Sequence, residues 1–265
     1  MSKTILLTGA TDGLGLRAAE LIIEQGHKVI LHGRRADRLA EVVSDLSAKG
    51  DAYSYCCDLS DLIEVAKMAK ELAEAYSSID VIINNAGVLK ADNTKTAQGL
   101  ELRFVVNAIA PYLLTKMLMP VLRTNSRVVN LSSAAQTPLD ASEISIFADY
   151  TDMGAYARSK LAITAWTKRM AHHYPEQLFV SVNPGSLLGT KMVKEGFGIE
   201  GEDIMIGADI ITRAALSDEF NDATGLYYDN DAKSFGPAHN LAEDTVFGQT
   251  VIDEMETLLK ALNLA

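Results

Sequence analysis

The residues best suited to chemistry lie between Ser132 and Lys160. Ser132 and Ser133 close an apolar run, and Tyr156-Ala157-Arg158-Ser159-Lys160 follows after a long connection. On a helix, Tyr156 and Lys160 share one face a turn apart. A phenol ordinarily ionises near pH ~10, and an ammonium held beside it favours the phenolate. Such a pair can give or take a proton near neutral pH. A serine hydroxyl at a strand end can hydrogen-bond an oxygen that gains charge. The spacing Tyr-x-x-x-Lys is common by chance, so the surrounding chain must decide whether it matters.

That chain alternates short apolar runs with helical spacing. Strands are expected at 4–8, 28–32, 52–57, 81–83, 127–131, 179–182 and 225–228. Helices are expected at 14–25, 36–48, from Ser60 or Asp61 to 76, 99–123, 154–174, 203–216 and 246–262. Continuous apolar strands between helices describe a parallel sheet covered on both faces. The fold class is therefore α/β, a single Rossmann-type doubly wound domain spanning residues 1–265. Connection 134–153 is unusually long, which marks function rather than packing, and 186–202 is read as irregular and as a lid.

Composition excludes several classes. The formal net charge is −11, which disfavours nucleic acid and anionic membrane surfaces. The apolar stretch 104–122 contains Asn107, Lys116, Pro111 and Pro120, and reads as a buried helix rather than a membrane span. With no leader pattern at residues 1–7, a cytoplasmic location is expected. Cys56 and Cys57 are adjacent, which on a strand sends them to opposite faces. No cysteine or histidine cluster has metal-ligand spacing. His27, His32, His172, His173 and His239 read as surface or packing residues.

Between the first strand and first helix lies Thr8-Gly9-Ala10-Thr11-Asp12-Gly13-Leu14-Gly15. Glycines there permit a tight turn and close approach of a pyrophosphate, which the helix N-terminus can bind. The second strand ends His32-Gly33-Arg34-Arg35. A carboxylate at that point would hold the ribose of NAD, whereas arginine suits the 2′-phosphate of NADP. NADP(H) is therefore expected over NAD(H), with Arg34 as the contact. Pro111 lacks an N–H and crowds the carbonyl four residues earlier. That leaves the Asn107 carbonyl free to hold a water leading to Lys160.

TGATDGLG at 8–15, CDLS at 57–60, NNAG at 84–87, VVNAIAPYLLT at 105–115, VVNLSS at 128–133, YARSK at 156–160 and NPG at 183–185 together resemble the short-chain dehydrogenase/reductase family. The resemblance implies a seven-stranded parallel sheet, a nicotinamide cofactor and a catalytic set of Asn107, Ser133, Tyr156 and Lys160, with Ser132 the fallback serine. It also implies cofactor contacts at Gly9, Thr11, Asp12, Gly13, Leu14, Gly15, Asp58, Leu59, Asn85, Ala86, Gly87, Pro184, Gly185 and Thr190, besides Tyr156 and Lys160. Ser133 precedes Tyr156 by 23 positions, longer than the family norm and similar to its retinol-dehydrogenase-like branch. One extra residue separates Gly185 from Thr190.

The implied activity is interconversion of an alcohol and a carbonyl compound. A dinucleotide-binding redox sensor on the same fold is the alternative. Ile144, Ile146, Phe147, Tyr150, Leu187, Leu188, Met192 and Phe197 would suit an apolar small molecule, or would pin the loops. The long helix and the tyrosine helix could pair between subunits as a homo-oligomer, or could simply pack on the sheet.

Overall fold

The computed structural model describes residues 2–264. Its strands are β1 (Thr4–Leu7), β2 (Lys28–Gly33), β3 (Ala52–Cys56), β4 (Ile79–Asn84), β5 (Leu122–Leu131), β6 (Leu178–Asn183), β7 (Tyr227–Asp229) and β8 (Ser234–Gly236). They form one sheet in the order β3-β2-β1-β4-β5-β6-β7-β8. All neighbours run parallel except β8, which folds back antiparallel on β7. The eighth strand corrects the expected seven. It was missed because β8 is a three-residue edge strand, exposed throughout.

Alternation along the strands builds two cores. Leu6, Ile30, Ile82, Val128 and Phe179 line up in register and face one side of the sheet. Ile5, Val29, Val81, Val129 and Val180 face the other. Chain order reverses between β1 and β4, and ligands bind such folds at the carboxyl ends of strands flanking that reversal.

Helices α1 (Gly13–Glu24), α2 (Ala36–Ser47) and α3 (Leu62–Ala75) follow β1, β2 and β3. Asp61, not Ser60, caps α3 by accepting from the Ile63 N–H. The long helix runs Leu102–Val121. By length and composition it could cross a membrane, but 72% of its most apolar window is buried inside the fold. Pro111 does lie within it, just after a π-helical turn at Val105–Ile109. The wider turn accommodates the ring and the missing N–H. The tyrosine helix begins at Asp152 and runs to His173, with Thr151 as its cap. It is buried on nearly every side, which explains its weak amphipathic pattern.

A further correction concerns the second loop. Segment 186–202 is not irregular throughout. It holds a helix, Lys191–Phe197, capped by Thr190 and ended by Gly198 at φ +71°. Its ends are pinched together where the Gly189 N–H donates to the Glu202 carbonyl and the Glu202 N–H to that of Leu187. Segment 134–153 holds a single 3-10 turn, Ala141–Ile144, closed by a capping box from Asp140 and Glu143. Helix Ile204–Leu216 then packs beside α1.

The last helix is Thr245–Ala261. Its Glu256 accepts from the Tyr112 hydroxyl at 2.6 Å and from Lys116 at 2.8 Å, both on the long helix. Its Gln249 accepts from Arg169 of the tyrosine helix at 2.7 Å. The last helix thus bonds to both helices read as a possible pairing surface between subunits.

Candidate active site

Thr8 anchors the turn after β1. Its hydroxyl accepts from the N–H groups of Asn85 and Ala86 at 3.0 and 3.1 Å. The Asn85 amide returns the contact, donating to the carbonyls of Thr8 and Gly9 at 2.8 and 3.1 Å. Gly9 and Gly13 take φ of +66° and +57°, a region that glycine enters freely. A Cβ on Gly15 would lie 2.2 Å from the Gly9 carbonyl oxygen, so no side chain fits there. A Cβ on Gly13 would meet only the Thr190 methyl, at 3.9 Å.

That gap at the N-terminus of α1 suits a diphosphate. A ligand there meets a helix end with unpaired N–H donors. Asp12 is exposed and caps the helix through the Gly13 N–H at 2.7 Å. Thr11 packs its methyl against Gly33, while Leu14 is half-buried. Thr190 stands opposite Gly13 despite the extra residue before it. Pro184 and Gly185 follow β6, held by Asn230, which donates to the Pro184 carbonyl at 2.9 Å. At the end of β3, Leu59 is buried and Asp58 exposed, its carboxylate accepting from the Ser60 N–H. Arg34 is exposed beyond β2, while Arg35 caps α2 through its backbone.

Sequence reasoning passed over Arg38, whose guanidinium reaches back to the Thr11 carbonyl at 3.3 Å. Its spacing of one helical turn from Arg34 was the available signal.

The reactive cluster lies beside this turn, at the ends of β4 and β5. Ser132 is buried and its hydroxyl is bonded to that of Thr164 at 2.6 Å. Ser133 is half-buried, and its hydroxyl lies near enough to Tyr156 to act on the phenol while accepting from the Ala135 N–H at 3.1 Å. Strand alternation sends the two serines to opposite sides, and Ser133 is the one that meets the tyrosine. The Ser133 carbonyl accepts from Gln136 at 3.0 Å and from the Tyr227 hydroxyl at 3.2 Å.

Lys160 is 4% exposed. Its ammonium donates to the Leu131 carbonyl at 2.6 Å and lies 5.6 Å from the Tyr156 ring centre. Gly87 is beside it, since a Cβ there would sit 3.6 Å from Lys160 Nζ.

The expected depression of the tyrosine is not found. Burial pushes the Tyr156 phenol above its ordinary value, with the Ser133 hydroxyl acting against it. Burial also pulls the Lys160 ammonium down to about 8. Desolvation thus outweighs the cation's attraction, because Lys160 lies over the ring rather than against the hydroxyl.

The Asn107 side chain is fully engaged. It accepts from the Val88 N–H at 2.8 Å and donates to the Val88 carbonyl at 3.0 Å and to Ser159 at 2.9 Å. Ser159 in turn donates to the Tyr156 carbonyl at 2.7 Å. Asn107 therefore ties the strand end at 84–88 to the tyrosine helix.

The candidate lining divides. Ile144 and Leu188 are buried, and Tyr150 packs edge-on to Phe104 while donating to Glu143 at 2.6 Å. These three pin the loops. Ile146, Leu187 and Phe197 are exposed, Phe147 carries Lys95 over its ring, and Met192 lies near Gly87. Glu143 pairs with Arg158 and Asp152 with Arg103, so these acids are committed to the fold. Burial pushes the Cys57 thiol up to about 12, leaving it unreactive beside exposed Cys56.

Fold and cleft together define a dinucleotide-dependent oxidoreductase. The chain belongs to the short-chain dehydrogenase family, whose model matches residues 3–198. Such enzymes act on alcohol and carbonyl groups with NAD(P). The chain is 30% identical to the short-chain dehydrogenase chry4 of Gibberella zeae, over 97% of this chain and 94% of that one. It is 27% identical to human retinol dehydrogenase 13, over 92% of this chain and 81% of that one. The latter accords with the branch suggested by the long segment before Tyr156. Among solved structures, a short chain dehydrogenase from Escherichia coli CFT073 complexed with NADPH superposes with a TM-score of 0.69. It is 27% identical and covers 86% of this chain and 96% of its own.

Proposed function

We propose that this chain is an NADP(H)-dependent oxidoreductase that interconverts an apolar alcohol and its carbonyl compound. The observation that carries the reading is the convergence of Ser133, Tyr156 and Lys160 beside Gly87. This cluster lies at the same strand ends as the glycine turn. A sensor would have no use for that convergence.

When bound, the nicotinamide supplies or accepts the hydride. The glycine turn and the α1 N-terminus would hold the diphosphate, Asp58 and Leu59 the adenine side, and Asn85 to Gly87 and Lys160 the ribose. Pro184, Gly185 and Thr190 would border the nicotinamide side. Ser133 donates to the substrate oxygen as charge collects there in reduction. Tyr156 gives that oxygen its O–H proton, so carbon gains a hydride and oxygen a proton. The raised phenol favours this protonated, donating form at neutral pH. Lys160 would replace that proton, itself resupplied by a water that the Asn107 carbonyl would hold as acceptor.

NADP(H) is favoured because Arg34 is exposed beyond β2 with no carboxylate at the strand end. A second guanidinium, Arg38, stands by Thr11. An apolar substrate is favoured by Met192 near Gly87 and by the exposed Ile146, Leu187 and Phe197 on the two long connections.

Oxidation of NADPH, followed by absorbance with a panel of apolar ketones and aldehydes, tests the reading. Turnover with NADPH well above that with NADH is expected. Tight NADPH binding without turnover of any carbonyl or alcohol would favour the sensor, and a preference for NADH would overturn the role of Arg34.

A further inference from the structure

His32 is 3% exposed near the end of β2. None of the proposed chemistry uses it. Its Nδ1 accepts from the Gly9 N–H at 3.2 Å, and its Nε2 lies 3.0 Å from the Cys57 carbonyl. A carbonyl can only accept, so Nε2 carries the proton and Nδ1 is left as the acceptor. The partners thereby select one neutral tautomer.

The same residue's carbonyl accepts from the Ala10 N–H at 2.9 Å. Two successive amides of the glycine turn are therefore aimed at one residue. On the far side, Asn85 holds the Gly9 carbonyl at 3.1 Å. Gly9 is gripped through both its N–H and its carbonyl, and the His32 ring ties it to the end of β3, where Asp58 follows.

We propose that His32 is a positioning residue for the dinucleotide, setting the glycine turn against the β3 end so that diphosphate and adenosine are held at one spacing. It acts on affinity and leaves the proton-transfer cluster alone. This rests on the reading of the cleft as a dinucleotide site. Ring protonation would set a second N–H against that of Gly9. Burial resists it, holding the imidazole down at about 4, although the Cys57 carbonyl and the Asp58 charge pull the other way.

Two measurements test this. In the unliganded chain, nitrogen NMR of labelled histidine should show Nε2 protonated and Nδ1 bare from about pH 8 down to about pH 5. The opposite tautomer, or an imidazolium at about pH 6, would overturn the brace whether or not the cleft binds a dinucleotide. Next, NADPH affinity is compared in His32→Leu and His32→Asn. Asn keeps an acceptor where Nδ1 stood.

His32→Leu should weaken NADPH about tenfold, with kcat at saturating NADPH unchanged within about twofold, and Asn should recover most of the loss. Should His32→Leu not fold, His32→Gln, which reaches Cys57 but leaves Gly9, carries the same expectation. Unchanged affinity in the folded variant, or equal losses in kcat and affinity, would sink the proposal. A native chain that binds no NADPH while showing the expected tautomer would instead refute the dinucleotide reading.

Discussion

The two halves of the proposed site, one for dinucleotide and one for substrate, are held by different means. On the dinucleotide side, backbone groups carry the structure. Thr8, Asn85 and His32 bond to peptide N–H and C=O groups, and Gly15 leaves no room even for a methyl. On the substrate side, side chains carry it: Glu143 with Arg158, Arg103 with Asp152, and Asp231 accepting from Ser186 at 2.6 Å. Apolar residues there remain exposed. A backbone-built half admits little change, whereas a half tied by side chains can be rewritten without disturbing the sheet. One fold can thus keep its cofactor while its substrate varies.

The largest expected effect lies where the halves meet. Tyr156→Phe should lower kcat by about 10²–10⁴-fold with NADPH affinity within about threefold. Near-normal steady-state turnover would remove the proposed acid. The glycines then sharpen the contrast. Gly15→Ala, forced against the Gly9 carbonyl, should weaken NADPH by about 10²-fold or more in a fluorescence titration. Gly198→Ala, on the lid with φ +71° and open space around it, should cost only about 1–2 kcal/mol of stability. Equal damage from both would erase the distinction.

Lys160 offers a third test, through pH. Its folded value of about 8 lies below the ordinary 10.5. Between those values the unfolded chain binds a proton that the folded chain does not. Stability should therefore rise with pH across the window, by at most about 3 kcal/mol. Denaturant titrations of the wild type should show that rise relative to Lys160→Met.

The adjacent serines come next. Ser133→Ala should cost about 10–10²-fold in kcat, and Ser132→Ala about 1 kcal/mol of stability with kcat retained. The smallest change belongs to the lid. Phe197→Ala should raise the KM of an apolar substrate only a few-fold, leaving that for NADPH unmoved.

Much of this was legible in the chain because its signals are local. The glycine turn, Tyr156 with Lys160, and the alternating strands each announce themselves within a few residues. Pro111 even foretold a disturbed helical turn, observed as a π-helical segment. What escaped depends on partners far away. His32 looked like packing because its partners are 23 and 25 positions off. The depressed phenol failed because spacing puts Lys160 near the ring without fixing how far both are desolvated. The lid helix Lys191–Phe197 has one capping hydroxyl and too few residues to show a period. The covering of the long helix by the last one has no local signature at all.

That covering bears on how the chain matures. Tyr112 and Glu256 meet across 144 positions, and Trp166, edge-on to Tyr112 at 5.7 Å, lies fully buried beside them. Separations of this size slow folding, because a large loop must close before the contact repays it. During synthesis the sheet can assemble first, with one flank of its helical layer still bare. A premature stop codon shortly before residue 245 would leave that greasy flank permanently open. Such a product should aggregate even though every residue proposed to touch cofactor had already been made.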